Sequence, residues 1–185
     1  MARSHRIQVA GIYHVTNHAV AGMPLFKDET DWETRLGFIA QNVREGRFVC
    51  NALCLMGNHD HLLITVEDGM IGHTMQRLNR AYAGEFNRRH GRRGRVYRAP
   101  YFSALVETEA HLLELCRYIA LNPEEVNLGS AEGYEWSSYG GLIGLRKPFS
   151  FVDPTPLLDA VGAGENAQAK IATLVADGRL RSRWS

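Results

Sequence analysis

The sequence predicts an α+β fold in which an antiparallel sheet carries its helices on one face. Three observations predict it. Strand-like and helix-like segments alternate in the order β-α-β-β-α-β-α along 185 residues. Two of the strand-like runs are separated only by Gly57-Asn58, a tight-turn signal that joins antiparallel neighbours. Hydrophobic residues make up 45% of the chain, ample for one core. The plan is ferredoxin-like or RRM-like. One main domain is expected over residues 1–145, with a C-terminal helical extension over 146–185.

Val9 to Val20 reads as the first strand, because Tyr13-His14-Val15-Thr16 is rich in β-formers. Ala21-Gly22-Met23-Pro24 breaks it. Asp28 is placed to cap a helix running to about Glu45, with Trp32, Leu36, Ile39 and Val43 on one face and Gly46 closing it. Phe48 to Met56 is almost wholly apolar and predicts a central, buried strand. His61 to Val66 is the next strand and Glu67-Asp68-Gly69 ends it. A long helix follows from about Ile71 to Arg89, with the stripe Ile71, Met75, Leu78, Tyr82 and Phe86. His90 to Arg95 is a basic, glycine-containing loop, and Tyr97 to Val106 reads as a further strand. Thr108 caps the helix that carries Tyr118. Asn122 is expected near that helix's end, because a residue before proline is pushed out of helical geometry. Beyond come a Trp136-Ser137-Ser138-Tyr139 segment and two short helical patterns near Leu157 and Ile171.

The formal net charge is only +1, so total charge does not announce a nucleic-acid binder. Its distribution does. From Phe86 to Val106 there is no acidic residue and there are six arginines, Arg88, Arg89, Arg92, Arg93, Arg95 and Arg98. Arg77 and Arg80 on the preceding helix extend that surface, and Arg179, Arg181 and Arg183 form a second basic patch. Local fields of this kind attract phosphate, and Tyr97, Tyr101 and Phe102 nearby suit stacking on bases. The arginine loop reads equally as a solvated linker. The three cysteines form no CxxC pair and read as small core residues in a reducing compartment. No apolar run is long enough to span a membrane and the N-terminus lacks a secretion signal, so a cytoplasmic protein with no membrane partner is expected.

Alternate side chains of a strand point the same way, so His59 and His61 face together and Asp60 faces away. Two neutral imidazoles on one pleat make two corners of a metal site, although the pair also fits ordinary polar strand positions. On the next helical segment, Leu112, Leu115, Cys116 and Ile119 mark the core side. His111, Glu114, Tyr118 and Asn122 form a separate stripe about 100° away. Tyr118 and Asn122 are neighbours at i and i+4. An amide oxygen is an acceptable ligand for a hard divalent cation. If the stripe faces the histidines, the metal site is His59, His61 and Asn122, with Tyr118 alongside. Read singly, Tyr118 also fits the edge of the core and Asn122 a helix end. Metal, imidazoles and a phenol together suit cleavage of a phosphodiester through a covalent phosphotyrosine.

The strings YHVTNHAV, MGNHDHLLI, GRRGRVYRAPYFSALVET, LLELCRYIALNPEEVNLG and WSSY resemble the single-tyrosine HUH transposases, in particular the REP-associated tyrosine transposases and their insertion-sequence-200-like relatives. The resemblance spans roughly residues 8–145. It implies the HUH endonuclease fold, a divalent metal (Mg2+ or Mn2+) on His59 and His61 with Asn122 as third ligand, and Tyr118 as nucleophile. It implies single-stranded DNA beside a hairpin as partner, cut to leave a 5′-phosphotyrosine and a free 3′-hydroxyl. Many such relatives are homodimers that exchange the tyrosine helix, while REP-associated members can act as monomers, so the resemblance leaves a homodimer open. This chain departs from the pattern in three places. Asp60 stands where the family has a bulky hydrophobic residue between the histidines. The turn His18-Ala19-Val20-Ala21-Gly22 lacks the usual polar character, and Arg98-Ala99-Pro100 replaces a glutamine-glycine-arginine. Two other readings are a DNA-hairpin-binding protein without useful catalysis and a zinc-dependent hydrolase built on the two histidines.

Overall fold

The computed structural model describes residues 9–67 and 71–182, without the side chains of 180–182. The Asp68-Gly69 turn, Arg183 and the side chain of Arg181 lie outside the described residues. The strands are β1 (Gly11–His18), β2 (Val49–Leu55), β3 (His59–Val66) and β4 (Phe102–Leu105). The helices are α1 (Glu29–Arg44), α2 (Ile71–Arg89), α3 (Glu109–Glu125), α4 (Tyr139–Leu142), α5 (Thr155–Ala160) and α6 (Ala167–Ser182). The strands form one antiparallel sheet in the order β2-β3-β1-β4, so the expected α+β architecture is present.

Strand alternation divides the apolar residues between two faces. On the first face Tyr13, Val15, Leu53, Leu55, Leu62 and Ile64 pack with Ile39 of α1 and with Ile71, Met75, Leu78, Tyr82 and Phe86 of α2. On the second, Ala52, Cys54 and Leu63 pack with Leu112, Leu115, Cys116 and Ile119 of α3, Leu157 of α5, and Ile171 and Val175 of α6. The expected single helical layer is thus made by α1 and α2, and the later helices add a second. The three cysteines are free and buried, and burial pushes each thiol up to about 12.

The helix ends follow local chemistry. The Asp28 side chain accepts a hydrogen bond from the Asp31 amide and caps α1, and Thr108 does the same for α3 through the His111 amide. The N-terminus of α1 is tied to the C-terminus of α2, where Arg89 pairs with Asp28 and Asp31 and His90 reaches Asp31. That pairing complements both helix dipoles. At the other end of the molecule Arg179 of α6 bonds Glu124 of α3 and Glu132. A methyl group at Gly178 would fall 2.5 Å from the Arg117 side chain, so glycine lets α6 approach α3 closely.

Two sequence expectations change. The apolar run of β2 is an edge strand, and a central one was expected. Its edge is buried by other segments, since Leu55 N donates to Trp136 O, Ser138 N to Leu53 O and Asp153 N to Cys50 O. Residues 97–101 do not join β4. Pro100 has no N–H to give, and the segment is instead pinned to the end of β1 through Arg98 N to His18 O at 2.9 Å. Asn122 lies near the end of helix α3, as expected, although the helix does not stop there. It runs through Pro123 to Glu125, because a proline this close to the C-terminus forfeits one hydrogen bond while Asn122 and Pro123 are held by burial.

Candidate active site

His59 and His61 project from β3 onto the second face of the sheet. The register opposes His18 to His59, Asn17 to Asp60 and Thr16 to His61. Cross-strand partners share a face, so His14, Thr16 and His18 of β1 stand beside the pair. The His59 and His61 rings are 4.9 Å apart at near right angles, and His18 stacks on His59 at 5.1 Å.

Each imidazole of the pair is tethered through Nδ1. His59 Nδ1 is 2.7 Å from Asn58 Oδ1, and an amide oxygen accepts only, so Nδ1 carries the proton and Nε2 the lone pair. His61 Nδ1 lies 3.0 Å from His14 Nε2 and 3.2 Å from Thr16 Oγ1. His61 Nε2 is buried and has no hydrogen-bond partner among the described residues. Imidazoles held by one nitrogen, with the other left unprotonated, are what a metal requires of histidine.

Helix α3 supplies the rest. The Tyr118 ring meets His61 edge-on at 5.3 Å and His14 at 6.1 Å, and Tyr118 is 40% exposed. Asn122 is buried beside them, and its amide nitrogen donates to the Tyr118 carbonyl at 2.8 Å. That bond leaves its amide oxygen for the histidine side of the helix, where Asn122 neighbours both imidazoles. Two imidazole nitrogens and an amide oxygen fit a divalent cation. Among the described residues the histidine, cysteine and carboxylate group gathered closely enough to hold an ion is a different one, Asp28, Asp31 and His90. Arg89 already pairs with both of its carboxylates. No third imidazole joins His59 and His61 at ligand spacing among the described residues, so the triple-ligand pattern of a zinc hydrolase is not present there.

Burial keeps the cluster neutral. It lowers His61 to about 3, with the neighbouring His59 and His14 adding to the shift. It lowers His14 to about 4, with help from His111 of α3. His59 is lowered by burial and by His18, and the Asn122 side chain opposes this.

Asp60 lies on the other face and is fully buried. It accepts from Arg35 Nε of α1 at 2.9 Å and from Asn17 Nδ2. Asn79 of α2 bridges Arg35 and Asn17. Burial works against the Arg35 charge, and the groups around it, Asp60 foremost with Tyr97 and Tyr82, together more than offset that and hold the guanidinium above its ordinary range. The family departure at this position therefore comes with its own partner set.

The arginines divide. Arg93, Arg95 and Arg98 are exposed on the loop before β4. Arg92 lies over the Phe86 ring and Arg88 pairs with Glu85. Arg89 pairs with Asp28 and Asp31 and so ties α2 to α1. Arg179 likewise pairs with Glu124 and Glu132. Arg77 and Arg80 line a groove of about 640 Å³ between α1 and α2, on the first-face layer and across the sheet from the histidines.

Sequence reasoning missed His14, Thr16 and His18. Their signal was the same period of two that paired His59 with His61, repeated in Tyr13-His14-Val15-Thr16-Asn17-His18.

The family model described as "Transposase IS200 like" matches residues 8–122, a span that contains His59, His61, Tyr118 and Asn122. Among curated proteins none matches. A solved structure of a REP-associated tyrosine transposase bound to a REP hairpin is similar at a TM-score of 0.66 and 15% identity, covering 83% of this chain and 98% of that one. At that identity the likeness concerns the fold.

Proposed function

The chain belongs to the IS200-like transposase family, and from that premise we propose that it cuts and rejoins single-stranded DNA through Tyr118, with Mg2+ or Mn2+ on His59, His61 and Asn122. The observation that carries this reading is the meeting of all four side chains on one face of one chain. No exchange of helices between copies is needed to complete the set. The proposed substrate is DNA with a hairpin and single-stranded arms, in line with the hairpin held by the structurally similar protein.

A divalent metal held by His59, His61 and Asn122 would withdraw charge from a phosphate oxygen and so ease attack at phosphorus. The protein's own groups do the rest. Packing against His61 and His14 holds the Tyr118 ring at the open side of the site. The phenol gives its proton to water and its oxygen forms the bond to phosphorus. The bond to the 3′ oxygen breaks, and that oxygen takes up a proton as a free 3′-hydroxyl. The 5′-phosphotyrosine keeps the energy of the broken linkage, so a new 3′-hydroxyl rejoins the strand without ATP.

The test is incubation with hairpin oligonucleotides from repeats in the host genome, with Mn2+, followed by denaturing electrophoresis. A protein–DNA adduct is expected, lost in Tyr118→Phe and on chelation. Binding without an adduct would favour a hairpin-binding protein, and metal-dependent hydrolysis untouched by Tyr118→Phe would favour a hydrolase.

A further inference from the structure

Phe102 is 61% exposed at the start of β4, the sheet's edge strand beside β1. Its partner across the sheet is Thr16, and Thr16 is in turn opposite His61. Opposed residues of antiparallel strands project to the same face. His61, Thr16 and Phe102 therefore form one transverse row, leading from the candidate metal site to the open edge. Thr16 Oγ1 links the first two at 3.2 Å. Helices α3 and α5 pack on the β2 end of this face, and no residue of β4 is buried.

A single exposed phenylalanine is ordinary on a protein surface. The surroundings make this one specific. Of the three aromatics near the basic loop, Tyr101 is buried and Tyr97 turns inward over Arg35, and Phe102 alone faces solvent. Arg93, Arg95 and Arg98 precede it and pair with no carboxylate among the described residues. Arg98 is anchored by its backbone to His18, which stacks on His59. Arg98, anchored beside His18, and the exposed Phe102 ring thus stand on the β4 side of the site. Cations hold a phosphate backbone, and a phenyl face takes an unstacked base of any sequence.

We propose that Phe102 is the platform on which an unpaired base next to the scissile phosphate stacks. This rests on the DNA-cutting reading above. Phe102 is a positioning residue, so its loss weakens capture of the single strand and leaves the chemistry at Tyr118 in place.

The experiment measures binding of a fluorescein-labelled oligo(dT) single strand by anisotropy, in a Tyr118→Phe background that prevents covalent capture. Phe102→Ala and Phe102→Leu are expected to weaken binding about 10-fold. Phe102→Trp is expected to stay within about twofold, whereas a purely apolar contact would let Phe102→Leu keep its binding as well. Mn2+ affinity and Tm are expected unchanged. Wild-type-like binding by Phe102→Ala overturns the platform. So does a change in sedimentation with DNA affinity retained, which would assign Phe102 to contact with a second copy. If the Tyr118 protein forms its adduct at saturating oligonucleotide while Phe102→Ala binds normally, the platform falls alone. If the parent binds no single strand, the platform and the transposase reading fall together.

Discussion

Three consecutive residues of β3 serve two different faces. Asp60 points to the first face and is fully buried, with its oxygens taken by Arg35 and Asn17. His59 and His61 point to the second, where His61 Nε2 is buried with no hydrogen-bond partner among the described residues and Tyr118 is 40% exposed. A polar group that serves the fold has its bonds supplied by the fold. A group that serves a ligand is tethered on one side and keeps its lone pair on the other. One peptide separates the two regimes, so β3 is locked from behind while its donors stay available in front.

The largest test of this contrast removes the lock. Asp60→Ala leaves the Arg35 charge buried without its counterion, and a loss of about 3–5 kcal/mol is expected in urea unfolding. The double variant Asp60→Leu/Arg35→Met is expected to recover most of it. A loss below about 1 kcal/mol for Asp60→Ala would mean that the first face does not hold the strand. On the second face, His14→Phe removes the hydrogen-bond partner at His61 Nδ1. Mn2+ affinity by calorimetry is expected to fall about 10–100-fold, with His14→Gln retaining more of it. Equal affinity in both variants would show that His61 needs no support from β1.

Acidification sharpens the contrast further. Burial depresses His61 to about 3 and His14 to about 4, below the ordinary value of 6.5. Above 6.5 both folded and unfolded chains are neutral there, so these groups contribute nothing to the pH dependence. Below it the unfolded chain takes up protons that the fold refuses, and stability falls through the window from about 6.5 toward 3. The metal-free protein is expected to lose Tm from neutral pH to about pH 4.5, and His14→Gln to lose less. Equal slopes would count against a cluster kept neutral by burial.

The smallest effect concerns the arginines. Replacing Arg93, Arg95 and Arg98 by alanine is expected to shallow the salt dependence of single-strand binding by about 0.7 for each phosphate these side chains neutralise. Arg89→Ala is expected to lower Tm and leave that slope unchanged, since Arg89 is spent on Asp28 and Asp31.

Much of this was legible in the sequence because it is local. The period of two paired His59 with His61, the spacing of four paired Tyr118 with Asn122, and Asp28 and Thr108 announced their helices. What escaped is tertiary. Arg35 meets Asp60 across 25 positions, and no local pattern shows it. The apolar run of β2 looked central because burial by the Trp136–Ser138 and Val152–Asp153 segments has the same composition as burial between strands. Pro123 suggested a helix end because the rule for the residue before proline carries no information about packing. The loop arginines shared one basic appearance until their partners divided them.

The most direct measurement is mass spectrometry of the DNA-linked protein after nuclease and protease digestion, from a reaction with Mn2+ and a hairpin oligonucleotide. The expected result is a 5′-phosphonucleotide on Tyr118 alone, absent without metal and in His61→Ala. Cleaved DNA with an unmodified Tyr118, or a nucleotide carried by a different residue, would contradict a site built from His59, His61, Asn122 and Tyr118.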